Sequence, residues 1–348
     1  MPPRGSSRHV DNQIVYRRED EFASWPHTMG FWDMGDGELL QNFLSNKTNY
    51  SDAQAISHDN VIRIGASKMV TVRSRDYGRT WSKPVDNLYD TIAKGTENAR
   101  SMGDLGPIDY RDRNVLVANS GTDFGAPEGR AFVRVSRDRG HHWSPGIPGA
   151  ARRALFARGD QLGAGPPGRH GADLADGSRQ GRLDRHPLIH ALPPGGTDFH
   201  FMSFITPKTD PYGAADGDYT GTFRFGGHRW FYPRGLLLPS GRMLCTLRCQ
   251  RDPRGIMWTE LYASDDGGRT WEFLSRVNDF GSPGSLVRLK DGRLVMVYGY
   301  RLMPSGIRAA VSTDEGRTWG PELIVRDDGG SWTWAIPTPG RPTTARSA

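Results

Sequence analysis

An all-β fold, a β-propeller built from four-stranded blades, is predicted by three features of this 348-residue sequence. An octapeptide, Ser-x-Asp-x-Gly-x-x-Trp, occurs four times; tight Gly-containing turns flanked by apolar runs stand ahead of several copies; and the copies are spaced as the corners of a repeated module.

The octapeptides are Ser74 to Trp81, Ser136 to Trp143, Ser264 to Trp271 and Ser312 to Trp319. Each follows a strand-like run, such as Met69-Val70-Thr71-Val72-Arg73 or Ile307-Arg308-Ala309-Ala310-Val311, so each reads as a hairpin turn. The aspartate can accept hydrogen bonds from backbone N–H groups of the turn, the glycine takes the positive φ that a Cβ disfavours, and the tryptophan packs beneath as an apolar plug. Asp76, Asp138, Asp266 and Asp314 are therefore read as structural residues with no part in catalysis.

The second element is the tight turn at Gly35-Asp36-Gly37, at Pro239-Ser240-Gly241 and at Lys290-Asp291-Gly292, each between apolar residues. One module then reads strand, tight turn, strand, loop, strand, octapeptide, strand, which is the blade of a propeller. The interval between the second and third octapeptides is long enough for two modules, so a blade without the motif is expected there. Six blades are expected, with five or seven as alternatives, in one domain spanning residues 1–348.

Two stretches break the pattern. Over 144–196, strand alternation gives way to Arg, Gly, Pro, Ala and His, as in Gly165-Pro166-Pro167-Gly168-Arg169-His170. This segment reads either as a long disordered insertion or as sequence out of frame, and residues 333–348 read as an irregular tail; the out-of-frame reading implies a ring that lacks a blade and its final strands.

Composition narrows the partners. The net charge of +6 arises from 45 Lys and Arg against 39 Asp and Glu, with the basic residues scattered, so nucleic acid is not indicated and an anionic ligand such as an acidic sugar is accommodated. Ten Trp, eleven Tyr and fourteen Phe supply core despite a mean hydropathy of -0.61. Cys245 and Cys249 lie four apart on one strand, roughly 13 Å from each other, too far for a disulfide. No metal-ligand spacing, phosphate loop or nucleophile elbow occurs, and neither metal nor cofactor is expected. No apolar stretch is long enough to span a membrane. The chain as written reads as cytoplasmic, or as secreted or periplasmic if its start lies further upstream.

The repeated octapeptide with its Asp-Gly-type turns is similar to that of the sialidase and BNR-repeat (Asp-box) superfamily over roughly residues 14–143 and 199–331. The resemblance implies a propeller that handles carbohydrate: an arginine triad holding a carboxylate, a Tyr–Glu pair as nucleophile and a loop aspartate as acid/base. Arg234 and Arg301 stand where the second and third arginines would be, with Tyr300 beside the latter. His58 and Asp59 occupy about the place of the acid/base residue, where either would serve as general acid. His27 could reach the same mouth, and Glu260 could partner a tyrosine. The family's Arg-Ile-Pro has no counterpart, since Phe22-Ala23-Ser24-Trp25-Pro26 lacks the arginine. This departure argues against true sialidase activity. The resemblance thus implies an exo-acting glycoside hydrolase for a terminal acidic or deoxy sugar; the alternatives are a non-catalytic glycan- or protein-binding propeller and a polysaccharide lyase. The polar stretch from Glu97 to Gly106 is a further candidate for the mouth.

Overall fold

The protein is described by a computed structural model over residues 5–6, 13–24, 30–51, 68–121, 131–148, 171–179, 182–192, 200–206, 229–250 and 257–329. It is an all-β propeller, with five sheets among these residues. After β1 (Gly5–Ser6), the first sheet holds β2 (Glu21–Ser24), β3 (Phe31–Asp33), β4 (Leu39–Lys47), β5 (Lys68–Ser74) and β6 (Val85–Asp86). The second holds β7 (Leu116–Gly121), β8 (Ala131–Ser136) and β9 (Ile147–Pro148), and the third β10 (Gly171–Arg179), β11 (Arg182–Leu192) and β12 (His200–Phe204). The fourth is the meander β13 (Arg229–Leu237), β14 (Met243–Gln250), β15 (Met257–Ser264) and β16 (Glu272–Arg276). The fifth is β17 (Gly281–Arg288), β18 (Leu294–Tyr300), β19 (Ser305–Ser312) and β20 (Leu323–Gly329), extended by β1 lying parallel to β20.

Four of the five sheets carry an octapeptide between their last two antiparallel strands. The third sheet has none. It lies in the long interval between the second and third octapeptides, and its hairpin β10–β11 falls within 144–196. Residues 149–170 and the tail 333–348 lie outside the described residues. The expected count of six blades is not reached among the residues described.

The four octapeptides share one geometry, and its hub is the serine. The hydroxyl donates to Oδ1 of the aspartate at 2.7–2.8 Å and accepts the glycine N–H at 2.8–2.9 Å. That glycine is left-handed at Gly78, Gly140, Gly268 and Gly316, and so is the residue before it, Tyr77, Arg139, Gly267 or Glu315. Two successive positive φ values give the tight reversal that matches strand twist. At Gly316 a Cβ would stand 2.3 Å from the Leu261 side chain, so the glycine also admits the neighbouring sheet. The tryptophan Nε1 donates to the glycine carbonyl in the first three corners, whereas Trp319 reaches across to Ser275 Oγ at 3.0 Å.

The aspartates are held ionised by these contacts. Hydrogen bonds from the hydroxyl and backbone of Thr80 and of Thr318 lower Asp76 and Asp314 to about 2, and Asp266 is lowered the same way by Thr270. In the second corner His142 stands where the others have threonine, its Nδ1 2.5 Å from Asp138 Oδ2. Because the folded values lie below the unfolded value of about 4, the stabilisation is complete above about pH 4 and is lost as pH falls toward 2. A melting temperature that is flat from pH 7 to 5 and falls between pH 4 and 2 is the expected result of thermal scans. A decline beginning near pH 6 would mean that other groups govern acid unfolding.

Apolar residues fill the spaces between sheets. Trp32, Met34, Leu40, Leu88, Leu116, Ala118 and Trp143 join the first and second sheets, and Trp32 Nε1 donates to Val117 O across the seam. Ile189 and Ile205, from the third sheet and its exit, pack on Trp230, Cys245, Leu247, Cys249, Trp258 and Tyr262 of the fourth. Leu244, Leu261 and Ala263 of the fourth pack on Leu286, Leu294, Met296 and Tyr298 of the fifth. The first strands of successive sheets meet: β13 packs on β10 and β11, and β17 on β13, β14 and β15.

Candidate functional site

The register defines two ends of each sheet. In the fourth, Met243 pairs with Ser264, so the tight turn and the octapeptide share one end, and Tyr232, Arg248, Trp258 and Arg276 lie toward the other. In the fifth, Gly281 pairs with Tyr300 and Tyr300 with Gly306, which places Ser282 and Arg301 at the corresponding far end. The far ends of these two sheets are stitched together. Thr259 Oγ1 donates to Gly281 O at 2.8 Å, and Thr246 Oγ1 donates to Gly284 O at 3.4 Å.

A cationic group sits at this junction. Arg301 is fixed by its own backbone, whose N–H donates to Phe280 O at 3.0 Å, and by its Nε, which donates to Ser282 O at 3.0 Å. Its electrostatic neighbours are Arg248, on β14, and Tyr232, on β13; burial first, and then the Arg248 charge, bring Arg301 down to about 10. The Arg248 guanidinium lies 5.4 Å from the centre of the Tyr232 ring and donates to Gln250 Oε1 at 2.7 Å. Two guanidiniums and a phenol, gathered at a sheet end, form a fork suited to an anionic, ring-bearing ligand.

Of the other residues that the sequence suggested, Glu260 lies apart from this group. Glu260 is 2% exposed and lies on the face of the fourth sheet that packs against the third. Arg248 follows the opposite face, since it neighbours Cys249 of that core on a strand whose side chains alternate. Glu260 has a tyrosine partner, Tyr262, whose hydroxyl donates to Oε2 at 2.9 Å. Trp258 Nε1 donates to Oε1 at 2.8 Å and Trp230 Nε1 to Oε2 at 3.3 Å. Three donors thus converge on this one carboxyl group. Burial and the Glu260 charge push the Tyr262 phenol up, so this tyrosine keeps its proton.

Tyr300 turns toward the outer strands, where the Arg308 guanidinium lies 4.6 Å from its ring centre. Arg308 is 1% exposed and pairs with Glu322, which also accepts from Tyr298 at 3.0 Å. Arg234 is buried on β13 opposite Thr246, with its charge near Cys245. By this register Arg234 leaves β13 on the same face of the sheet as Thr246 and Arg248, the face stitched to the fifth sheet. His27, His58 and Asp59 lie outside the described residues; His58 and Asp59 fall in sequence between Lys47 and Lys68, which sit at the far end of the first sheet.

That end of the first sheet holds a second polar group. Glu21, with its side chain 3% exposed, accepts from Tyr16 and from Ser45 at 2.7 Å, and pairs with Lys47 at 3.2 Å and Lys68 at 3.4 Å. Burial would raise it, but these hydroxyls and ammonium groups outweigh burial and hold it at about 2. It is an anchor for β2 rather than a proton carrier near neutrality. The stretch from Glu97 to Gly106 forms a turn in which Asp104 Oδ2 accepts from the Arg100 and Ser101 N–H groups, each at 2.8 Å, and the Arg137 guanidinium donates to Leu105 O at 2.5 Å. Among the described residues, no cluster of three or more His, Cys, Asp or Glu is placed to hold a metal ion, and no helix is long and apolar enough to cross a membrane.

Tyr232 and Arg248 escaped the sequence reading. A signal for each exists: arginine inside the apolar run Leu244-Cys245-Thr246-Leu247-Arg248-Cys249, and Tyr-Pro within a strand, which marks an irregularity.

No family model matches the chain, and no curated protein matches it. Among solved structures, a protein of unknown function from Dyadobacter fermentans is 19% identical, covering 92% of this chain and 88% of that one with a TM-score of 0.61. An endo-arabinase from Bacteroides thetaiotaomicron is 11% identical over 82% of this chain and 92% of that one, with a TM-score of 0.44. A Trypanosoma rangeli sialidase in complex with sialic acid is 12% identical, covering 92% of this chain but 39% of that one, with a TM-score of 0.31. The first of these likenesses is one of fold.

Proposed function

We propose that this chain is a sialidase-like, Asp-box propeller acting as an exo-glycoside hydrolase on a terminal acidic sugar. The supporting observation is the gathering of Arg248, Arg301 and Tyr232 where the far ends of the fourth and fifth sheets meet. Guanidinium forks match a carboxylate bidentately. Between an acidic and a deoxy sugar, this arrangement favours the acidic one. His58 or Asp59 supplies the proton to the glycosidic oxygen in this reading. The complete ring has six blades.

A second reading, a propeller that binds acidic glycans without cleaving them, draws on the burial of Glu260 and Tyr262, which keeps that Tyr–Glu pair from substrate. Purified protein is to be assayed on aryl glycosides of uronic and sialic acids, neutral aryl glycosides and uronic-acid polysaccharides. Release of aglycone from the acidic glycosides, lost by at least about a hundredfold in a His58→Ala, Asp59→Ala double variant, is the expected result. Calorimetric binding without turnover selects the second reading, and an unsaturated product absorbing in the ultraviolet selects a lyase.

A further inference from the structure

The backbone at Tyr232 is held against two local preferences. Its φ is +54°, in a region that residues with a Cβ occupy at a cost of about 1–2 kcal/mol. It also precedes Pro233, and a residue before proline is pushed toward extended conformations. The distortion is local: β13 pairs regularly with β14 on both sides, and the register shifts between Phe231 and Arg234. Bulges of this kind re-aim a side chain, and strain retained in a fold points to a site that uses it.

Here the re-aimed ring lies within cation–π reach of Arg248, at 5.4 Å. Arg248 belongs to the neighbouring strand, opposite Thr259, whose hydroxyl reaches Gly281 O of the fifth sheet, and it donates a hydrogen bond to Gln250. Arg301 is held at its backbone by the N–H bond to Phe280 O and at its guanidinium by the Nε bond to Ser282 O. We infer that Tyr232 is a positioning residue, whose left-handed bulge sets the Arg248 guanidinium beside Arg301 so that the two cations grip a single ligand carboxylate. The inference deepens the acidic-sugar reading and rests on it for the identity of the ligand. Burial first and the Arg248 charge second disfavour the charged form of Arg301, and a bound anion offsets both.

The test compares wild type, Tyr232→Phe and Tyr232→Gly, with sodium D-glucuronate as probe and D-glucose as neutral control, by titration calorimetry and thermal melting. Glycine accepts the left-handed backbone, so Tyr232→Gly is expected to melt no lower than wild type while glucuronate affinity falls by about tenfold. Tyr232→Phe, which keeps the ring, is expected to restore wild-type affinity. If Tyr232→Gly binds glucuronate as wild type does, the positioning role is overturned while the acidic-sugar reading stands. If wild type binds no glucuronate, that reading falls, and the positioning role is decided by the phenylglyoxal reactivity of Arg301, followed by mass spectrometry. Slower modification in Tyr232→Gly, because Arg248 no longer depresses Arg301, supports it; an unchanged rate overturns it.

Discussion

Arg301→Met is expected to weaken binding of acidic sugars by about ten- to a hundredfold, the loss of one charge-assisted contact, while leaving any affinity for neutral sugars unaltered. Arg248→Met is expected to have an effect of similar size. The double variant should lose less than the product of the two, because each single change also removes the repulsion that the other cation feels. Raising the salt concentration should weaken the wild-type interaction only modestly, since Arg301 is half-buried and screening acts chiefly on exposed charges. Calorimetry with glucuronate, at two ionic strengths and across the four proteins of the cycle, measures all of this. Equal affinities for acidic and neutral ligands in wild type, or an Arg301→Met protein that binds glucuronate undiminished, would remove the cationic fork from the site.

The parts of this protein that were legible in its sequence are those where one residue type has one physical use. A glycine at a positive φ, an aspartate facing turn N–H groups and a tryptophan below them recur at fixed offsets, so the corners at residues 74–81, 136–143, 264–271 and 312–319 could be placed residue by residue. Even there the serine hydroxyl, which ties the aspartate to the glycine, went unread, because serine in a turn has many uses. The site was less legible for a geometric reason. Its members come from β13, β14 and the end of β18, and whether two arginines face one another depends on which side of each strand they leave. Arg301 follows an aromatic strand end, whereas Arg234, the first residue to pair with β14 after the bulge at Tyr232, owes its face, the one Arg248 takes, to that bulge. A one-residue irregularity inverts every side chain that follows, and its only trace in the sequence is Tyr-Pro. Tyr300 and Arg301, adjacent in sequence, end on different neighbours for the same reason: consecutive residues at a strand end diverge, one to Arg308 and the other to Ser282.

Glu260 gives the sharpest contrast between a catalytic and a supporting carboxylate. Its removal as Glu260→Ala takes away one acceptor shared by the indole N–H groups of Trp230 and Trp258 and the hydroxyl of Tyr262 inside a core built from Ile189, Leu247 and Cys249. Orphaned buried donors cost about 1–3 kcal/mol each, so a loss of about 3–5 kcal/mol is expected, a third or more of the stability of an ordinary domain. Glu260→Gln keeps one acceptor oxygen but turns an NH₂ toward a donor, and an intermediate loss of about 1–3 kcal/mol follows. Urea unfolding of the two variants gives these differences. Turnover per folded molecule separates the roles: the packing role predicts that Glu260→Gln, once corrected for its folded fraction, works as wild type does. A Glu260→Gln protein with wild-type unfolding and turnover lowered by orders of magnitude would instead return this carboxylate to the chemistry, and Tyr262 with it.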